Sequence, residues 1–437
     1  MNALKNLDII SSNLVNAKRS ESYWRSIRYL FPLKRNITYL NTGTMGIMPY
    51  AVLGAINRTN SRICKNGIYP MRDMILESTI AGLINASPNE IVVTKNVSEG
   101  INHACWSIPL KKGDEVILSL HEHAGGALPW LNRSRLDKIH IRTFEPGKTS
   151  KETYNNIISL VNYRTRVIAI PHISCTIGQV YPIKQICDFA RTRNIITSID
   201  GAQAVGMIPV NLDNLRCDFY SSCLHKWISG PLAVGFLYIN KRVLPTSRLT
   251  HVGAYSVESY ALAGTSPKIG KFTIGASRFA YGSFSKPLYD GACAAIKLYI
   301  DIGPRRIYVR NQYLVNYLIS KIEVFNNLQH KLYKRTKRSN LIPASSLSAT
   351  HFIKILSPKY SLVQSSQLSI RIISANLNVN KKFCEYCSKH KLFIRYVNEH
   401  SLDCIRISLH YYNTIKDINL FCRLLKDYTS QSNSRIN

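Results

Sequence analysis

Five short apolar runs lie between residues 91 and 239: Ile91-Val-Val-Thr94, Glu115-Val-Ile-Leu-Ser119, Arg166-Val-Ile-Ala-Ile170, Ile195-Ile-Thr-Ser-Ile199 and Gly235-Phe-Leu-Tyr-Ile239. Runs of this length and continuity read as strands buried on both faces. Longer segments of helical spacing separate them, such as Ile183-Lys-Gln-Ile-Cys-Asp-Phe-Ala-Arg-Thr192. Strands alternating with helices give a mostly parallel sheet covered by its crossover helices, so the expected fold class is α/β.

Open sheets of this kind bind ligands beyond the carboxyl ends of their strands. Ser98, His123, Asp200 and Lys226 each follow an apolar run and so converge on that edge. Beyond Tyr281-Gly-Ser283 a helical stretch covers Asp290 to Asp301. Strand-like runs at Leu368-Ser-Ile-Arg-Ile-Ile373 and Asp403-Cys-Ile-Arg-Ile-Ser-Leu409, with Lys381 to Lys391 helical between them, then outline a smaller α+β domain. The expected organisation is an N-terminal arm over 1–35, a large domain over 36–300 and a small domain over 301–437. No internal repeat or long low-complexity tract interrupts it.

Asp200 ends an apolar strand, with Gln203 three residues on, and Lys226 stands in Ser221-Ser-Cys-Leu-His-Lys-Trp-Ile-Ser-Gly-Pro231. A primary amine and a buried carboxylate suit pyridoxal 5'-phosphate, whose aldehyde takes an amine as a Schiff base and whose ring nitrogen needs an acid to stay protonated. An unpaired buried carboxylate is costly, which favours a cationic partner for Asp200.

In these segments, and in Tyr39-Leu-Asn-Thr-Gly-Thr-Met-Gly-Ile-Met-Pro49 and Cys404-Ile-Arg-Ile-Ser-Leu-His-Tyr-Tyr-Asn-Thr414, the chain resembles the class V aminotransferase family of fold-type I pyridoxal-phosphate enzymes. The resemblance runs from about Tyr23 to Leu425 and is nearest the isopenicillin N epimerase-like branch, related to cysteine desulfurases. It implies the fold-type I architecture, with a mostly parallel large domain and a smaller α+β C-terminal domain.

By the same resemblance Lys226 is the Schiff-base lysine, His123 of His121-Glu-His-Ala-Gly125 stacks on the pyridine ring, Asp200 pairs with the ring nitrogen and Gln203 bonds the ring oxygen. Thr94-Lys-Asn-Val-Ser-Glu-Gly-Ile-Asn102 looks like the family's phosphate turn, with Ser98 and Glu99 at the matching positions, where helix N–H groups favour an anion; a plain N-cap by Ser98 is the alternative. His225 is a further cofactor neighbour. Cys223 stands where a small polar phosphate ligand is usual, and Ser222 is the substitute considered for it. Ser277-Arg-Phe-Ala-Tyr-Gly-Ser283 resembles the segment that reaches the neighbouring subunit's site, which implies a homodimer with Ser283 acting in trans. Arg406 matches the position that grips the substrate carboxylate through two hydrogen bonds. Arg395, Gly43 and Thr44 are further substrate-side candidates.

The reaction stays open among transamination, epimerisation and elimination at Cα of an amino acid or aminoacyl substrate. Residues 294 to 383 hold no cysteine, and Cys404 lies two residues before Arg406, so the persulfide route of a desulfurase lacks its nucleophile. The alternatives are a C–S lyase without that cysteine, or a non-catalytic relative with a basic surface for nucleic acid. Cys175, Cys223 and Ala280 depart from the family pattern and motivate the last.

The net charge of +32 on 437 residues raises nucleic acid as a partner. The basic residues are spread along the chain, and no recognised binding module is present, so nucleic acid is not expected. The densest cluster, Lys331-Leu-Tyr-Lys-Arg-Thr-Lys-Arg338, reads as a solvated loop. Eleven unevenly spaced cysteines form no disulfide framework. Cys384-Glu-Tyr-Cys387 has no second pair at zinc-ribbon spacing, so no metal is expected and a helix with two cysteines on one buried face is preferred. No apolar run reaches the ~20 residues of a membrane span. A cytoplasmic protein is expected, although the basic, hydroxyl-rich first 35 residues resemble an organellar transit peptide in composition.

Overall fold

The β-α alternation builds a seven-stranded sheet in the computed structural model, which describes residues 21–68, 70–264, 266–338, 351–358, 364–374 and 377–434. The chain divides into two units. The larger comprises Met45–Cys175 with Val180–Pro304; the smaller comprises the chain up to Thr44, Thr176–Gln179, and the chain from Arg305 onward.

The larger unit's strands are β1 (Ile91–Thr94), β2 (Glu115–Ser119), β3 (His140–Phe144), β4 (Thr165–Pro171), β5 (Ile196–Asp200), β6 (Phe219–Cys223) and β7 (Gly235–Ile239). Their spatial order is β1-β7-β6-β5-β4-β2-β3. Every pairing is parallel except those of β7, which runs antiparallel to β1 and β6. The five apolar runs all become strands. Two strands carried weaker signals. The edge strand β3 is partly exposed, and β6 reads Phe-Tyr-Ser-Ser-Cys, whose serines disguise five fully buried positions.

Helices α1 (Tyr50–Asn66), α2 (Ile75–Ile84), α3 (Val97–Ser107), α4 (Ala124–Asp137), α5 (Ile183–Thr192) and α6 (Lys286–Ile302) accompany the sheet. Ala104 and Cys105 of α3 and Trp130 of α4 share a core cluster with Val116, Val167, Phe219 and Leu237 of the strands. Burying one aromatic side chain such as Phe219 is worth about 1.5–3 kcal/mol. Register then fixes the functional edge: Pro171 and Ser221 flank Asp200 on the two neighbouring strands, so β4 and β5 end level and β6 runs two residues further, to Cys223.

The smaller unit has a four-stranded antiparallel sheet of β8 (Phe352–Ile355), β9 (Gln367–Ile373), β10 (Arg395–Val397) and β11 (Cys404–Ser408), in the order β8-β9-β11-β10. Helices α7 (Pro304–Arg338), α8 (Val379–Lys389) and α9 (Ile415–Ser434) accompany it. Leu314, Leu318, Ile370, Phe383, Ile405 and Phe421 form the core between them. The segment Glu21–Arg28 is helical and belongs to this body. Trp24 is buried beneath the Arg310 guanidinium, Arg310 pairs with Glu21 at 2.7 Å, and Arg28 pairs with Asp417 at 3.4 Å. The first 20 residues, on which part of the transit-peptide comparison rests, lie outside the described residues.

One expectation is corrected. The basic cluster Lys331–Arg338 is the last part of α7 rather than a loop, because no Pro or Gly interrupts it and it continues an established helix. The Ser- and Pro-containing stretch that suggested a loop begins only at Ser339, outside the described residues. Cys384 and Cys387 lie on α8, with Cys387 fully buried and Cys384 packed against the same core. Among the described residues no helix is long and apolar enough to cross a membrane.

Candidate active site

Lys226 stands in the turn after β6, and its neighbours are fixed by backbone contacts. The Gly46 N–H donates to the His225 carbonyl at 2.7 Å, and the Ser229 N–H donates to the Lys226 carbonyl at 3.2 Å. Ser229 adopts a left-handed φ of 60°, which closes the turn. Burial holds the His225 imidazole down at about pKa 4, with the adjacent Lys226 charge acting in the same direction, so His225 is neutral. Its buried Nδ1 has no hydrogen-bond partner among the described residues.

Asp200 ends β5 at 8% exposure, and its Oδ1 accepts from the Ala202 N–H at 2.8 Å. Burial raises its carboxyl, while that hydrogen bond and the charges of Lys226 and His123 pull it back down. Glu122 is also buried; desolvation and the Asp200 charge push its carboxyl well above the usual range. Two buried acids within electrostatic reach do not both ionise readily. Among the described residues Lys226 and His123 act on Asp200 and no cation acts on Glu122, which favours the proton on Glu122 and the negative charge on Asp200. Behind Asp200, the His172 N–H donates to its carbonyl at 2.8 Å, and His172 Nδ1 lies 2.9 Å from the Tyr220 hydroxyl.

His123 caps α4. Its Nδ1 accepts from the Gly125 N–H at 3.0 Å and its main-chain N–H donates to Glu122 Oε1 at 2.8 Å, which holds an otherwise exposed ring in place. Gly125 brings this helix start against Ser98, and a Cβ there would collide with the Ser98 hydroxyl. Ser98 itself is not the cap of α3. Asn96 is: its Oδ1 accepts from the Glu99 N–H at 2.9 Å, because the chain is already helical at Val97. The Glu99 carboxylate accepts from the Lys95 N–H and from the Tyr281 hydroxyl, the latter at 2.8 Å. Glu99 thus ties the helix start to the 277–283 segment.

Gln203 Oε1 accepts from the Trp227 indole at 2.9 Å. The Ser222 hydroxyl donates to the Gly201 carbonyl at 3.0 Å, which spends its single proton on the main chain. Cys223 is buried, its thiol pushed up to about 11 by desolvation, and its Sγ lies 3.9 Å from the Ala202 carbonyl. Ser283 is exposed and lines a cavity of about 490 Å³ together with Glu99, His103 and Tyr281.

The substrate-side candidates fall in the smaller unit. Arg406 on β11 is fully buried, and its Nη2 donates to the Thr44 hydroxyl at 2.8 Å and to Asn41 Oδ1 at 3.3 Å. A Cβ on Gly43 would come within 3.2 Å of the Arg406 guanidinium carbon. Gly43, Thr44 and Arg406 are therefore brought together, although more than 360 residues apart in sequence. Arg395 faces Arg406 across the β10–β11 pairing, but its guanidinium is held by Glu399.

The model for aminotransferase class-V matches residues 75–421. The chain belongs to the class-V aminotransferase family. Among curated members it is 28% identical to isopenicillin N epimerase of Streptomyces clavuligerus over 228 residues, 49% of this chain and 56% of that enzyme. It is 30% identical to the cysteine desulfurase of Wigglesworthia glossinidia brevipalpis over 295 residues, 66% of this chain and 70% of that protein. The matched region spans little more than half the length of the epimerase. Among solved structures, the cystine C-S lyase C-DES in complex with cysteine persulfide has a TM-score of 0.75 at 26% identity, covering 90% of this chain and 98% of that one. The apo cysteine desulfurase from Thermococcus onnurineus has a TM-score of 0.77 at 19% identity, over 93% and 98% of the two chains, and shares the fold. These matches establish the family and the mixed α/β architecture with its large, mostly parallel sheet.

Several contributing residues were not singled out in the sequence. Asn41 lies within the Gly-rich motif without a signal of its own, Tyr220 is hidden in β6, and Glu122 is overshadowed by the histidines beside it. The ending of buried strands on the same edge is the signal that points to Tyr220 and His172.

Proposed function

We propose that the chain is a pyridoxal-phosphate-dependent class V enzyme acting at Cα of an amino acid or aminoacyl substrate, with Lys226 as its central residue. The observation that carries the reading is the placement of Asp200: a buried carboxylate at a strand end, within the electrostatic reach of Lys226 and His123. The residues present fit the cofactor. The close approach that Gly125 allows at the helix start carrying Ser98, and the buried His225 Nδ1 that no described residue bonds, provide polar groups for a phosphate, and Asp200 matches a protonated pyridine nitrogen. When bound, pyridoxal phosphate supplies an aldehyde for the amine and a ring that takes up the electron pair of a broken Cα bond.

The protein's own groups then divide the work. Lys226 supplies the amine and moves the proton at Cα. Asp200 holds the ring-nitrogen proton, and the neutral Glu122 beside it avoids a competing charge. His123, fixed at Nδ1, offers a flat face against which the ring is held, which limits its rotation. Ser98, the first amides of α3 and neutral His225 bind phosphate, while the buried Cys223 thiol is a weak donor and the Ser222 hydroxyl is committed to Gly201. Arg406 takes the substrate carboxylate, with Thr44 and Asn41 orienting its fork. A homodimer in which Ser283 reaches the neighbouring site belongs to the same reading.

Epimerisation or transamination is the first reading, supported by the likeness to isopenicillin N epimerase. Cleavage of a C–S bond is the second, favoured by the likeness to the cystine C-S lyase over 90% of this chain. A panel of L-amino acids, cystine and aminoacyl peptides, assayed for D-isomer, keto acid and sulfide or persulfide, separates the two. Failure of the cofactor-loaded protein to exchange the Cα proton of any of them with deuterium would refute both.

A further inference from the structure

In the larger unit the indole Nε1–H of Trp227 donates to Gln203 Oε1 at 2.9 Å, with Trp227 fully buried and Gln203 2% exposed. An indole N–H only donates, so the contact decides which end of the carboxamide is oxygen. Oε1 must face Trp227, and the Nε2 amino group must face elsewhere; a flipped amide would set two donors against each other.

The indole has little freedom to follow the glutamine. Trp227 directly follows Lys226, and its backbone is pressed against Gly206, where an added Cβ would lie 2.8 Å from the Trp227 carbonyl carbon. Gln203 lies three residues beyond Asp200 in the turn closed by the Ala204 N–H to the Gly201 carbonyl at 2.9 Å. It therefore sits on the ligand edge of the sheet.

We infer that Trp227 is a positioning residue: by fixing Gln203 Oε1 it presents the Nε2 amino group as a donor for the oxygen substituent of a bound pyridine ring, favouring the phenolate form of that ring. The inference rests on the proposed pyridoxal-phosphate function. It also gives the residue after the lysine a chemical role of its own, acting through a side chain 24 positions upstream.

The test is a double-mutant cycle read by cofactor binding and not by turnover. Apo-protein is titrated with pyridoxal phosphate, and the visible absorbance of the bound cofactor is followed against pH, for wild type, Trp227→Phe, Gln203→Ala and the double variant. Trp227→Phe is expected to weaken binding about tenfold, or about 1.4 kcal/mol, and to shift the pH midpoint of the absorbance. The double variant should be no worse than Gln203→Ala. Trp227→His, which retains an N–H donor, should recover part of the loss and serves if Trp227→Phe does not fold. Additive losses, or an unchanged midpoint in both Trp227 variants, would overturn the inference while leaving the proposed function intact. A wild-type protein that takes up no pyridoxal phosphate would overturn both.

Discussion

Gly46 lies against the lysine turn: its N–H donates to the His225 carbonyl at 2.7 Å, and a Cβ built on it would collide with the Lys226 carbonyl. The backbone that carries Lys226 is therefore supported from a segment 180 residues earlier, in a gap that only glycine fits. Gly46→Ala must displace one chain or the other. Overpacking of this kind costs about 1–3 kcal/mol. Urea denaturation should show that loss, and the cofactor should be released more readily from the folded variant than from wild type.

Cys223 provides a test in the opposite direction. Its buried thiol, raised to about 11, is neutral and a weak donor at neutral pH. Cys223→Ser places a stronger donor at the same point with little change in volume. The variant is expected to hold pyridoxal phosphate about three- to tenfold more tightly, since one hydrogen bond is worth a net of roughly 0.5–1.5 kcal/mol. Equilibrium dialysis measures the difference.

His172 sets a pH dependence of stability. Burial lowers its folded-state pKa to about 4 from 6.5, so between those values the unfolded chain binds a proton that the folded chain refuses. Stability present above pH 6.5 is consequently lost as pH falls through this window, by roughly 3 kcal/mol at its acid end. Asp200 and Glu122, whose carboxyls are raised, titrate with the opposite sign. Comparison with His172→Gln isolates the histidine, because both proteins keep the two acids. The stability of wild type relative to the variant should decline from pH 7 to pH 4 in chemical denaturation.

Arg406 and Thr44 form the pair to test for substrate. Arg406→Lys loses the planar fork and should raise KM at least tenfold with a smaller effect on kcat. Thr44→Val removes one contact to the guanidinium and should raise KM about fivefold, corresponding to roughly 1 kcal/mol for one hydrogen bond. Steady-state kinetics with any substrate found in the amino-acid panel reads both.

The large sheet was legible because its strands are buried on both faces and therefore apolar throughout, as in Ile91–Thr94 and Gly235–Ile239. Strand β6 was obscured because buried serines hydrogen-bond to the main chain, as Ser222 does to Gly201, and read as polar. The cofactor-side candidates were legible from strand ends and family motifs together. What the sequence did not carry was the commitment of each polar atom. Asn96 rather than Ser98 caps α3, Glu99 is spent on Lys95 and Tyr281, and Arg395 is held by Glu399. Such assignments depend on rotamers and on contacts distant in sequence, as between Thr44 and Arg406, which no local pattern encodes.

The most direct test of the central claim is borohydride reduction of the protein loaded with pyridoxal phosphate, followed by peptide mapping. One stable phosphopyridoxyl label is expected, on Lys226, and it should be lost in Lys226→Ala. A fully loaded protein whose label falls on another lysine, or which carries none, would contradict that claim.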